Sequence, residues 1–158
     1  MSIENGNYKL QNFSSKFFLS SAGKKNRTPN LEATVSTTQA STWAITNVSG
    51  DHYILNPLDQ SESPSFVDYS MFLSLKVPAS STAPATPSVV CSDVYSEVTI
   101  TKTTIVDPSA APVVRINALF EKQFLQADKS TTAKPQLKEA SAIANEDFLW
   151  LLVRVPSA

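Results

Sequence analysis

The chain has 158 residues, with 13 Lys plus Arg against 14 Asp plus Glu, a formal net charge of -1 at pH 7. That balance provides no global positive field for a phosphate backbone, which argues against nucleic acid as a partner. One Cys and one His are too few for an intrachain disulfide or a zinc site.

The length fits one domain with a real core, spanning 1–158. Charged residues make up 17%; much of the remaining polar content is Ser and Thr, which suit strands and turns better than helix interiors. The start, "MSIENGNYKLQN", lacks the charged and then apolar regions of a signal peptide. The most notable apolar run, "FLWLLV" at 148–153, is far short of a membrane span. The expectation is a cytoplasmic chain without a membrane partner, whose sequons at Asn12, Asn26 and Asn47 are accidental.

In chain order, "YKLQNF" (8–13) and "KFFLSS" (16–21) read as strands, followed by the loop "AGKKNRTPNLE" (22–32). "EATVST" (32–37), "TWAITNV" (42–48) and "HYILNPL" (52–58) continue the pattern, with an "SGD" turn between the last two. "PSFVDYS" (64–70) and "MFLSLKV" (71–77) come next, and "VPASSTAPATPSVV" (77–90), with its three prolines, reads as an excursion. Cys91, in the apolar "SVVCSDVY", reads as a buried thiol. "SEVTITKT" (96–103), "PVVRINAL" (112–119) and "KQFLQA" (122–127) lead to a second loop, "DKSTTAKPQLK" (128–138). "LKEASA" (137–142) and "FLWLLVRV" (148–155) complete twelve strands. With three Gly in the chain, Asn and Asp are expected at the left-handed corners.

A shift of 106 positions lays "YKLQNFSSKFFLSS" on "VRINALFEKQFLQA" without a gap, matching Lys16 with Lys122, Phe18 with Phe124 and Leu19 with Leu125. One inserted residue later, Trp43 meets Trp150. The shift is two steps of 53, a third of the chain. Three units of four strands form a β-trefoil: six strands in a barrel and six in capping hairpins. No unit alone can bury its apolar face, whereas three close the sheet. The expected core comprises Leu10, Phe18, Trp43, Ile54, Leu73, Ile116, Phe124 and Trp150; a Greek-key β-sandwich is the alternative fold.

The opening, with Glu4, Gly6 and Tyr8 leading into an alternating strand, resembles that of the mushroom (basidiomycete) β-trefoil protease inhibitors, the mycocypins and related serine-protease inhibitors. "TWAITNVSGDHYILNP" (42–57) resembles their strand–turn–strand passage. The resemblance covers the first third, and the remainder by strand count and length. It implies a monomer without cofactor or metal that inserts a rigid surface loop into a protease active-site cleft. Candidate contacts are Lys24, Lys25, Arg27, Pro29 and Asn30 in the first loop, with Lys129 and Lys134 in the second. Pro29 holds Thr28 extended and fixes its own φ, so the loop loses little entropy on docking. Arg27, Lys24 or Lys25 would suit a trypsin-like pocket, and Asn30 a legumain-like cysteine protease; a papain-like target is a further candidate. A Lys-rich loop kept for solubility is the plain alternative.

The second functional reading is a carbohydrate-binding lectin. Ricin-type (ricin B-like) trefoil lectins resemble the chain in architecture but carry a Gln-x-Trp in each repeat, which is missing here. Asp68, Tyr69 or Tyr95 would line a sugar site in a diverged member. No catalytic role is expected: His52 in "GDHY" reads as a strand entrance, and no nucleophile-elbow motif accompanies Asp51.

Overall fold

In a computed structural model, residues 3–20, 30–32, 42–57, 71–76, 88–118, 123–127, 136–139 and 146–155 are described. The first four strands are β1 (Gly6–Asn12), β2 (Phe18–Ser20), β3 (Asn30–Glu32) and β4 (Trp43–Ser49). The next four are β5 (His52–Pro57), β6 (Phe72–Lys76), β7 (Ser88–Ser92) and β8 (Val98–Lys102). The last four are β9 (Val113–Ala118), β10 (Gln123–Gln126), β11 (Gln136–Glu139) and β12 (Trp150–Arg154), with a 3₁₀ turn at Glu146–Phe148 before β12.

β1 pairs with β4, β4 with β5, β5 with β8, β8 with β9, β9 with β12, and β12 returns to β1, every step antiparallel. That is a closed ring of six strands, which leaves no open edge in the barrel. The β2–β3 hairpin hangs from β1 and the β10–β11 hairpin from β9, while β6 and β7 pair as a two-stranded sheet. The architecture is the expected β-trefoil, with units β1–β4, β5–β8 and β9–β12.

Equivalent positions of the three units fill one core. Tyr8, Tyr53 and Val114 pair with Trp43, Val98 and Trp150 respectively. Two residues on, Leu10, Leu55 and Ile116 are all fully buried. A Phe-Leu pair opens or occupies the second strand of each unit (Phe18-Leu19, Phe72-Leu73 and Phe124-Leu125), and each Leu is fully buried. The sequence shift reappears as a repeated hydrogen bond: Trp43 Nε1–H donates to the Leu19 carbonyl at 2.9 Å, and Trp150 Nε1–H to the Leu125 carbonyl at 3.1 Å. Val98 occupies the corresponding place in the middle unit.

Of the expected core, Leu10, Phe18, Trp43, Leu73, Ile116 and Trp150 are buried, and two residues are not. Ile54 is half-buried because its neighbours Tyr53 and Leu55 point inward; on a strand, one position changes the face. Phe124 is also half-buried, capped by the Arg115 guanidinium 4.3 Å from its ring centroid and set edge-on to Phe148. The predicted strand at 64–70 lies outside the described residues. β7 runs instead through the end of the stretch read as an excursion, where Val89 and Cys91 pair with Leu75 and Leu73. Cys91 is buried, as expected.

The non-glycine residues with left-handed φ among those described are Lys16 and Ala110, not Asn or Asp. Asn and Asp shape these corners through side-chain acceptors instead. Asn12 Oδ1 accepts from the Ser14 and Ser15 amides, and Asp107 Oδ2 from the Ser109 amide, the behaviour of Asx turns. Burial also makes Asn12 unavailable to a glycan. Gly50 has φ +55, and an added Cβ there would meet nothing within 4 Å. Gly50→Ala is therefore expected to cost about 1–2 kcal/mol from backbone strain alone, and Gly50→Asn distinctly less. Equilibrium denaturation of the two variants checks the difference.

Candidate functional site

The entry strand explains its own sequence. Arg154 on β12 donates through Nη1 to Glu4 Oε2 at 2.7 Å and through Nη2 to the Asn5 carbonyl at 3.2 Å, with its guanidinium carbon 5.6 Å from the Tyr8 ring centroid. A Cβ on Gly6 would stand 2.9 Å from Arg154 Nη2, so glycine leaves the guanidinium room to lie against the backbone. The Ile3 amide donates to the Tyr53 hydroxyl at 2.6 Å, and Asn5 Oδ1 accepts from the Asn47 amide. Glu4, Gly6 and Tyr8, the residues that carry the inhibitor resemblance, thus fasten the first strand to the last. Their role here is structural.

A different group of side chains gathers on the middle unit. Between β7 and β8, the Ser92 hydroxyl accepts from the Val94 amide and the Ser96 hydroxyl donates to the Val94 carbonyl. These local bonds turn the chain so that Val94 and Tyr95 project, 63% and 55% exposed. The Tyr95 ring packs edge-on against Phe72, with centroids 5.4 Å apart. Its hydroxyl donates to Glu97 Oε2 at 2.8 Å. That bond to a carboxylate stabilises the protonated phenol and raises its pKa above the usual tyrosine value.

Glu97 also faces β5. Its Oε1 is 3.5 Å from His52 Nδ1, while His52 Nε2 is 3.7 Å from Asp51 Oδ1 in the β4–β5 turn. Phe72, Tyr95, Glu97, His52 and Asp51 therefore form one continuous row. Asp51 also lines a cleft of about 500 Å³ beside the β4–β5 turn, together with Asn47, Gly50, Tyr53, Ile100, Thr101 and Lys102. Among the described residues, no group of three His, Cys, Asp or Glu side chains could hold a metal ion. An exposed ring next to an anchored carboxylate combines an apolar platform with hydrogen-bond acceptors, the pairing that orients a polar ligand with an apolar face.

The predicted protease contacts Lys24, Lys25, Arg27, Pro29, Lys129 and Lys134 lie outside the described residues. Asn30 is the first residue of β3, in register with Ser20: its backbone belongs to a hairpin strand, because pairing starts two residues before the expected loop ends. Of the sugar-site candidates, Asp68 and Tyr69 lie outside the described residues and Tyr95 stands in the row. His52 opens β5, the expected strand entrance. The sequence reading missed Glu97 and Phe72, since 45 residues separate Glu97 from His52 and only strand pairing joins them.

No family model matches the chain, and no curated protein matches it in sequence. Solved structures do. A ricin B-like lectin from Macrolepiota procera, in complex with lactose, has a TM-score of 0.66 at 18% identity, covering 98% of this chain and all of the other. ThreeFoil, a designed 3-fold symmetric protein, has a TM-score of 0.63 at 17% identity over 95% of this chain and 99% of its own. SeviL bound to asialo-GM1 saccharide has a TM-score of 0.64 at 12% identity over 97% of this chain and all of its own. At these identities the likeness is one of fold, and it runs the length of the chain.

Proposed function

We propose that this chain is a carbohydrate-binding β-trefoil whose middle unit offers Tyr95 and Glu97 to an uncharged glycan. The observation carrying the proposal is Tyr95 itself, more than half exposed yet held by Phe72 on one side and Glu97 on the other. Its ring supplies the stacking face, and Glu97 accepts from sugar hydroxyls. The fold neighbours that hold lactose and asialo-GM1 saccharide support the same class of ligand. The protein would act by binding rather than catalysis, as a cytoplasmic monomer. Protease inhibition takes second place because the fold neighbours that hold saccharides favour the glycan reading.

A glycan array followed by calorimetry tests the proposal. Tyr95→Ala is expected to weaken binding by roughly tenfold or more, as loss of a central aromatic contact does. Stability should fall by only about 0.5–1.5 kcal/mol, the worth of the edge-on pair with Phe72. An array with no ligand sinks the proposal, particularly if a panel of trypsin, chymotrypsin, papain and an asparaginyl endopeptidase shows inhibition lost in Arg27→Ala or Asn30→Ala.

A further inference from the structure

Resting on the glycan reading above, we infer that His52 is a positioning residue for Glu97, and that its charge makes binding of an uncharged glycan weaken as pH falls. His52 is the chain's one histidine, and its side chain is 26% exposed. Among the described residues, the Asp51 carboxylate faces it from the turn at 3.7 Å and the Glu97 carboxylate from the approach to β8 at 3.5 Å, with Tyr95 behind Glu97. Its ladder partner on β8, Thr99, is uncharged. On β4, Asn47 Nδ2 donates to the His52 carbonyl at 3.2 Å, which holds the backbone while the ring responds.

Separations of 3.5 and 3.7 Å exceed an ordinary hydrogen bond. An imidazolium has donors on both nitrogens, and its charge-assisted bonds to carboxylates close to roughly 2.7–2.9 Å. Protonation therefore draws Glu97 Oε1 toward β5 and moves Oε2 away from the Tyr95 hydroxyl. It also offsets the negative charge that makes Glu97 a good acceptor. Imidazole is the one side chain whose unperturbed charge change falls between roughly pH 5 and 8. The same carboxylates explain the ligand class, since Asp51 and Glu97 oppose an acidic sugar.

Two measurements on the full chain decide the matter. Without any glycan, NMR between pH 5 and 8 should show the Tyr95 ring and Glu97 amide signals moving with the His52 ring and sharing its midpoint. That coupling should vanish in Glu97→Gln and in His52→Asn. With lactose as the probe, the dissociation constant should rise about threefold or more from pH 7.5 to 5.5 and stay flat in His52→Asn. Tyr95 signals that ignore the His52 titration overturn the inference whatever lactose does, as does a lactose affinity that is pH-independent, rises in acid, or keeps its slope in His52→Asn. Coupled signals with no lactose binding at either pH would uphold the proton link to Glu97 and overturn its role in lactose binding; the glycan array then decides separately whether the binding function survives.

Discussion

Trp43→Ala is expected to lower stability by about 3–5 kcal/mol, the range for deleting a large buried aromatic. The indole is fully buried, so its removal leaves a cavity where β4 meets β1 and β5. It also strips the Leu19 carbonyl of the 2.9 Å donor that ties the first hairpin to the barrel. Against a typical total of about 5–15 kcal/mol, such a loss brings the chain close to unfolding. Trp43→Phe separates the two causes: it keeps most of the volume and gives up the hydrogen bond, so about 1–3 kcal/mol is expected, the cost of an unpartnered buried acceptor. Trp150→Ala should match Trp43→Ala, because its indole makes the equivalent bond to Leu125. Urea titrations measure all three. A loss below about 1 kcal/mol for either alanine variant would contradict the closed, filled barrel.

The second large effect lies at Asn12, a fully buried polar side chain. Its Nδ2 donates to the Asp147 carbonyl at 3.0 Å and toward the Leu149 carbonyl at 3.4 Å, while Oδ1 accepts from the Ser14 and Ser15 amides at 3.1 and 2.9 Å. One amide thus holds the β1–β2 corner to the turn that launches β12. Asn12→Ala is expected to cost about 2–4 kcal/mol, since several groups lose their partner in a dry site at about 1–3 kcal/mol each. Asn12→Asp keeps the acceptor but turns a carboxylate toward two carbonyls. Both donors to the Asp147 and Leu149 carbonyls are then lost, so Asn12→Asp is also expected to destabilise the fold, and urea titrations of the two variants against wild type measure both losses.

The outer units were legible in the sequence because chemistry repeats there at fixed spacing. Leu19 and Leu125, Trp43 and Trp150 reappear as the same pair of residues joined by the same bond. The middle unit lost its indole to Val98 and was hidden further by a Pro-rich stretch ahead of β7. Its clearest mark, Phe72-Leu73, was available as the third copy of the Phe-Leu pair. Ile54 was misplaced because "YILNP" is apolar at three consecutive positions and offers no alternation to choose a face. The row from Phe72 to Asp51 was illegible for another reason. A row of side chains assembled by strand pairing from 51–52, 72 and 95–97 leaves no local pattern, whereas the loop cations are contiguous in the chain.

The two indoles also determine what intrinsic fluorescence can report. The chain has two tryptophans, both sealed in matched sites of the outer units, and neither in the unit that carries Tyr95. Emission will thus follow the loosening of the first and last thirds directly and register the middle third through its neighbours. A melt recorded by fluorescence alone would count as native a molecule whose Tyr95 face had already come apart. A fluorine label on Phe72, beside that ring, would give the silent third its own signal.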